Sequence, residues 1–172
     1  LGGYICRPQG DGRYPVLLWV DPYRSGSDGQ ATPIAQFYAE RGYCFAYVNS
    51  RGTGNSAGLS TDEYMAAETQ DSYDAIEWLA AQDFSSGKVG MLGTSYSGFT
   101  TVQVAAMAPP ALKAIAPAYF TDRRYTDDCH YKGGCLRGFY DVLSCERPSP
   151  AAPRCIGLTP RRCRWAQHGG DE

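Results

Sequence analysis

The chain has almost no histidine, no long hydrophobic run and no excess of either charge, and each shortage removes a class of function. Its 172 residues include two histidines, His130 and His168. Seven cysteines are present, but Cys6, Cys44, Cys129, Cys135, Cys145, Cys155 and Cys163 match no zinc spacing, so no metal site is expected. The formal net charge is −2, and no basic stripe precedes the C-terminal tail. That balance argues against nucleic acid and against an anionic membrane as partners. The longest run of large apolar residues, Val16 to Val20, falls far short of the roughly 20 that span a bilayer. No basic-then-apolar leader is visible, and because the chain opens on Leu1 rather than methionine, its true N-terminus is expected to lie upstream. An odd cysteine count, with Cys44 inside an apparent strand, reads as a reducing compartment, and a cytoplasmic location is expected. What remains, 43% hydrophobic and 20% charged, is ordinary for one globular domain with a core.

The stretch Lys88 to Thr101 carries the chemistry. Val89, Met91 and Leu92 read as a buried strand, a Gly93-Thr94-Ser95-Tyr96-Ser97-Gly98 turn follows, and Thr100 to Met107 reads as a helix. Strand, sharp turn and helix with a serine at the apex are the sequence form of a nucleophile elbow. Such a turn strains the serine backbone and needs small neighbours, because other backbone passes close. Gly93 lies two before the serine. Ser97 lies two after it, with Gly98 next, so the strict Gly-x-Ser-x-Gly spacing is missed by one.

Strands alternate with helices around this point. Residues 1–14 are polar and turn-rich and read as the end of a hairpin whose earlier strand is absent. Val16-Leu17-Leu18-Trp19-Val20 is expected as a strand buried on both faces, followed by a loop from Asp21 to Gly29. A helix starts at Thr32-Pro33 and ends near Gly42, and Tyr43 to Val48 is the next strand. Arg51 to Gly58 is glycine-rich but lacks both the P-loop ending and the dinucleotide fingerprint, so no cofactor is expected. Thr61 is expected to cap a helix reaching about Gln82. Tyr73, Ile76, Leu79 and Ala80 form its apolar side, and Glu68, Asp71, Asp74 and Glu77 are read as a solvated face rather than a metal site. Leu112 to Pro117 reads as a further strand. The order predicts an α/β domain with a mostly parallel sheet and helices on both faces. The expected division is a core over 1–118, an insertion opening over 119–146, and an irregular tail over 147–172. The tail holds five arginines and four prolines without periodicity. A reading-frame shift near residue 145 would account for it, and a basic interaction tail is the alternative.

In combination and order these pieces resemble the cocaine-esterase and X-prolyl dipeptidyl-peptidase group of α/β-hydrolases, the CocE/NonD type. The matching segments are Pro15-Val16-Leu17-Leu18, Asp21-Pro22-Tyr23, Arg51-Gly52-Thr53-Gly54-x-Ser56-x-Gly58, Asp74 to Gln82, Gly87-x-Val89-Gly90, the elbow, Pro110 to Ile115, and Asp127 to Gly134. They cover about residues 5 to 145. The resemblance implies a partial α/β-hydrolase with the start of a helical cap. It also implies a serine hydrolase acting on a small-molecule ester or peptide substrate, including X-Pro bonds. Carried over by motif, Ser95 is the nucleophile, the Tyr96 backbone N–H one oxyanion donor, and the Tyr23 hydroxyl the other. Oligomeric state is not legible.

A serine hydroxyl needs a base, and in this fold the partners follow in the order serine, acid, histidine. His130 lies within three residues of Asp127 and Asp128, too close for groups brought by separate strand ends; the resemblance places it in the cap, lining the pocket. His168 falls in the irregular tail. The expectation is therefore the first half of a hydrolase, without its triad acid and histidine, and the alternative is a non-catalytic module. A sheet lacking its last strands has an open edge and is expected to be marginal and aggregation-prone.

Overall fold

The computed structural model describes residues 1–23 and 32–137. Most of the expected loop at 21–29, residues 138–146 of the expected insertion and the whole expected tail, His168 included, lie outside the described residues. In chain order the elements are β1 (Gly3–Cys6), β2 (Tyr14–Asp21), α1 (Pro33–Ala39), β3 (Cys44–Asn49), α2 (Ala66–Ala80), β4 (Ser85–Thr94), α3 (Tyr96–Ala106), β5 (Leu112–Ala118), β6 (Tyr131–Lys132) and β7 (Cys135–Leu136).

The first five strands form one sheet in the order β1-β3-β2-β4-β5. β2 runs parallel to both β3 and β4, and β4 parallel to β5. The alternation of side chains along each strand divides the core in two. Val16, Leu18 and Val20 of β2, Ala46 and Val48 of β3, and Val89 and Met91 of β4 pack with Ala75, Ile76 and Leu79 of α2 and Val104 of α3. Phe45, Tyr47 and Leu92 pack on the other face with Ala35 of α1. Helices therefore cover both faces, which a parallel sheet requires.

Several expectations change in detail. The strand buried along its whole length is β3, not β2, where Leu17 and Trp19 are half-buried. Residues 3–6 form β1, which pairs antiparallel with β3 at one border of the described sheet. α1 begins as expected, with Thr32 as its N-cap and Pro33 in its first turn. α2 begins at Ala66 rather than beside Thr61, and its N-cap Met65 makes no side-chain capping bond. Tyr64 interrupts the path with a φ of 58°, a left-handed value that a helix cannot continue through. α3 starts four residues earlier than expected, directly after Ser95.

β5 forms the other border of the sheet, with Ile115 exposed, and the exposed Tyr119 and Phe120 follow it. The described part of the expected cap, residues 119–137, is a turn-rich segment ending in the β6–β7 hairpin. No described helix is long and apolar enough to cross a membrane.

The central position of β2 makes its inward residues the most sensitive in the core. Leu18 is fully buried, and Leu18→Ala should cost about 2–5 kcal/mol, read as a shift of the urea midpoint. A loss under about 1 kcal/mol would mean that β2 is not the centre of the core.

Candidate active site

Sheet topology brings the candidate residues together. From β2 the chain moves to β3 on one side, then crosses to β4 on the other. The strand order therefore reverses between the carboxyl ends of β2 and β4, where open α/β sheets form their ligand crevice. Tyr23 lies two residues beyond β2, and Ser95 directly follows β4.

Ser95 has φ 58° and ψ −120°, a conformation that costs a non-glycine residue about 1–3 kcal/mol. It is held from both sides. Its N–H donates to Ala118 O of β5 at 2.9 Å, and its carbonyl accepts from Phe99 N in α3 at 3.0 Å. The chain has no room for larger neighbours here. A Cβ on Gly93 would lie 2.4 Å from Ser97 O, and one on Gly98 would lie 2.6 Å from Ala118 O. The one-residue departure from the strict spacing thus has a structural reason. The close approach to β5 falls on Gly98, while Ser97 packs inward, its hydroxyl buried and without a hydrogen-bond partner among the described residues.

The elbow leaves the Ser95 side chain exposed. The Tyr23 hydroxyl donates to Ser95 Oγ at 3.3 Å and accepts from Tyr96 N–H at 3.2 Å. The three residues singled out in the sequence thus meet at one point. Tyr96 N–H belongs to the first turn of α3, where the helix dipole favours negative charge. In this arrangement the two donors are bonded to each other. An arriving carbonyl oxygen would take the N–H from Tyr23 and accept the Tyr23 O–H in turn.

The acidic row on α2 is not one solvated face. Steps of three residues wind around an α-helix, so Glu68 and Glu77 fall on opposite sides. Glu68 is 4% exposed and shares its face with Ser72, Ala75, Ile76 and Leu79. Its Oε2 accepts from the Tyr96 hydroxyl at 2.9 Å, and that hydroxyl accepts from Tyr64 N–H at 2.7 Å. Asp71 forms a two-pronged pair with Arg51, both contacts at 2.6 Å. Asp74 accepts from Gln70, and Glu77 from the Ala111 N–H. The 4–3–1–3 spacing of residues 68, 72, 75, 76 and 79 was the available signal that Glu68 turns inward. Among the described residues no cluster of three or more His, Cys, Asp or Glu is placed to hold a metal ion.

Aromatic groups build the wall around this network. Tyr64 stacks on Tyr96 with ring centroids 4.0 Å apart, and Tyr23 meets Tyr96 edge-on at 6.1 Å. The Arg124 guanidinium lies 3.7 Å from the Tyr64 ring centroid and 4.0 Å from that of Phe99, tying the segment after β5 to the core. His130 Nε2 sits 3.6 Å from Glu63 Oε2. Burial pushes the Cys44 and Cys129 thiols up to about 11, so neither is a thiolate at neutral pH.

A mostly parallel sheet covered on both faces, with a strand–serine–helix elbow at its switch point, defines an α/β-hydrolase. Within that class the chain belongs to the X-Pro dipeptidyl-peptidase (S15) family, which residues 1–144 match. It is similar to cocaine esterase from Rhodococcus sp. (strain MB1 Bresler), at 33% identity over 136 residues, 77% of this chain and 23% of that protein. Among solved structures it is similar to a CocE/NonD family hydrolase from Staphylococcus aureus, with a TM-score of 0.67 and 28% identity, covering 84% of this chain and 31% of that one. It is also similar to an aminopeptidase from the marine sediment archaeon Thaumarchaeota archaeon, with a TM-score of 0.58 and 26% identity, covering 77% and 25%. The chain therefore spans about a quarter of the length of the first curated relative.

Burial sets the charge state beneath the elbow. Desolvation pushes the Glu68 carboxyl above its ordinary range, opposed by the hydrogen bond from Tyr96. Burial, and then the Glu68 charge, push the Tyr96 hydroxyl up as well. A carboxyl whose folded pKa is raised binds its proton more tightly in the folded state. Its contribution to stability is complete below the unfolded pKa and is lost as pH rises through the folded one. Glu68→Gln lacks this loss. The stability of Glu68→Gln relative to wild type should therefore rise as pH increases above the ordinary glutamate value of about 4.3, as read by urea unfolding of both proteins. A constant gap, or one that moves the other way, would mean that Glu68 is not desolvated.

Proposed function

We propose that this chain carries the nucleophile and oxyanion half of a serine hydrolase that cleaves small ester or amide substrates, X-Pro peptide bonds among them. The observation that carries this reading is the convergence of the Tyr23 hydroxyl and Tyr96 N–H beside an exposed, strained Ser95. Ser95 Oγ attacks the substrate carbonyl, its proton passes to a base, and the carbonyl oxygen becomes an anion. Tyr96 N–H and the Tyr23 hydroxyl receive that anion, and collapse of the tetrahedral species expels the alcohol or amine to leave an acyl-serine. Water then attacks the acyl group and frees Ser95. Donors aimed at developing charge in a site that excludes water supply much of such catalysis.

His130 is not assigned as the base in this reading, because Asp127 and Asp128 lie too near it in the chain to be groups brought by separate strand ends. The acid and histidine are assigned to the part of the family's hydrolase domain that lies outside the matched segment, following the chain order serine, acid, histidine. Residues 119–137 are read as the opening of an insertion over the site. Support for the ester and peptide chemistry comes from family membership and from relatives that are a cocaine esterase and an aminopeptidase.

Covalent labelling of Ser95 by a fluorophosphonate, with imidazole supplied as an external base, tests the reading. The folded chain should label at one site and Ser95→Ala should not. Tyr23→Phe should slow labelling about a hundredfold, the loss typical of removing one oxyanion donor. If the folded wild type labels no faster than Ser95→Ala, Ser95 is not a nucleophile, and the chain is a non-catalytic module of the same fold.

A further inference from the structure

Glu68 is a buried acid that the chemistry above does not use. It belongs to the first turn of α2, yet it is 4% exposed, and a carboxylate is seldom enclosed so fully without a specific partner. Its partner is the Tyr96 hydroxyl. That hydroxyl is held on its other side by Tyr64 N–H, presented by a residue in the left-handed region. A non-glycine residue persists there only when its surroundings hold it in place. The Tyr96 ring is confined as well, stacked by Tyr64 and met edge-on by Tyr23. Tyr96 is thus fixed at its hydroxyl tip and at its ring face, and its backbone N–H is the donor beside Ser95 Oγ.

We propose that Glu68 is a positioning residue for the oxyanion donor: by gripping the Tyr96 hydroxyl together with Tyr64 N–H, it sets the place and direction of the Tyr96 backbone N–H. This inference rests on the functional reading above, because positioning matters only if that N–H receives a developing anion. The mechanism is mechanical. α3 begins at Tyr96, so its first peptide lacks the hydrogen bonds that hold the middle of a helix. The Tyr96 side chain supplies the missing restraint by reaching down to α2. Tyr23 then binds to an amide that is already aimed.

Glutamine keeps an acceptor oxygen at the same place, whereas leucine removes it. Tyr96→Phe removes the hydroxyl alone. Two readouts separate this inference from the functional reading. The first is fluorophosphonate labelling of the whole chain with imidazole present, resolved into a maximal rate and a half-saturating concentration. Glu68→Leu and Tyr96→Phe should each lower the maximal rate about ten- to hundredfold, as misplacement by about 1 Å does, with half-saturation unchanged. Glu68→Gln should stay within about threefold of wild type, and the double variant Glu68→Leu with Tyr96→Phe should be no slower than either single one. The second readout needs no chemistry: the amide nitrogen and proton shifts of Tyr96, with those of Val104 as an internal control. Glu68→Leu and Tyr96→Phe should both move the Tyr96 amide and leave Val104 in place.

Wild-type labelling with unchanged rates in both variants and an unmoved Tyr96 amide overturns the positioning role and leaves the functional reading intact. A wild type that does not label overturns the functional reading, and the Tyr96 amide shift then decides alone whether Glu68 aims it. If Glu68→Leu fails to fold, Tyr96→Phe carries both readouts, because it removes a single oxygen.

Discussion

The site depends on one backbone constraint, the left-handed conformation of Ser95 between β4 and α3. Two backbone hydrogen bonds hold it, from Ser95 N–H to Ala118 O and from Phe99 N–H to Ser95 O. It survives because the peptide is caught between Ala118 of β5 and the first turn of α3, while Gly93 and Gly98 let those backbones approach. The parallel register of β4 and β5 sets this clamp, running from Val89 opposite Leu112 to Thr94 opposite Ala118. Packing in the sheet therefore holds the strain, and the strain projects the serine hydroxyl into solvent.

A second layer of order lies beneath the elbow. Tyr23, Tyr64 and Tyr96 come from three separate segments, and each touches another through a ring contact or a hydroxyl. Tyrosine suits this task because its flat ring buries apolar area while its hydroxyl both donates and accepts. Glu68 closes the network from α2, and Arg124 closes it from the segment after β5. Arg51, in the glycine-rich loop, turns away from the site to Asp71, while Ser56 of the same loop bridges Gly2 and Asn49. That loop is a bracket between sheet and helix.

The elements with strong local signals were legible in the chain. Pro33 marked the first turn of α1, the apolar runs marked β2, β3 and β4, and the glycines around Ser95 marked the elbow. The misreadings fell where tertiary contacts override local preference. Thr61 looks like a helix cap, but Tyr64 spends its N–H on Tyr96 and delays the helix to Ala66. Gly3 to Cys6 is too short to show its partner along the chain, and only the tertiary structure pairs it antiparallel with β3. Regular spacing groups Glu68 with its acidic neighbours, but its place on the Ser72–Ile76–Leu79 stripe sends it inward.

By itself the sequence determined the alternation of strands and helices, the serine at an elbow, and the family to which residues 1–144 belong. Periodicity and glycine placement are local properties, readable along the chain. Tertiary structure alone decided that Tyr23 stands beside Ser95 and that Glu68 holds Tyr96, contacts between residues 72 and 28 positions apart. Such pairs follow from strand order and helix packing, in which β4 crosses to the far side of β2 and α2 lies against the sheet beside α3. No local pattern encodes that placement, because it is set by which faces bury together when the whole sheet forms.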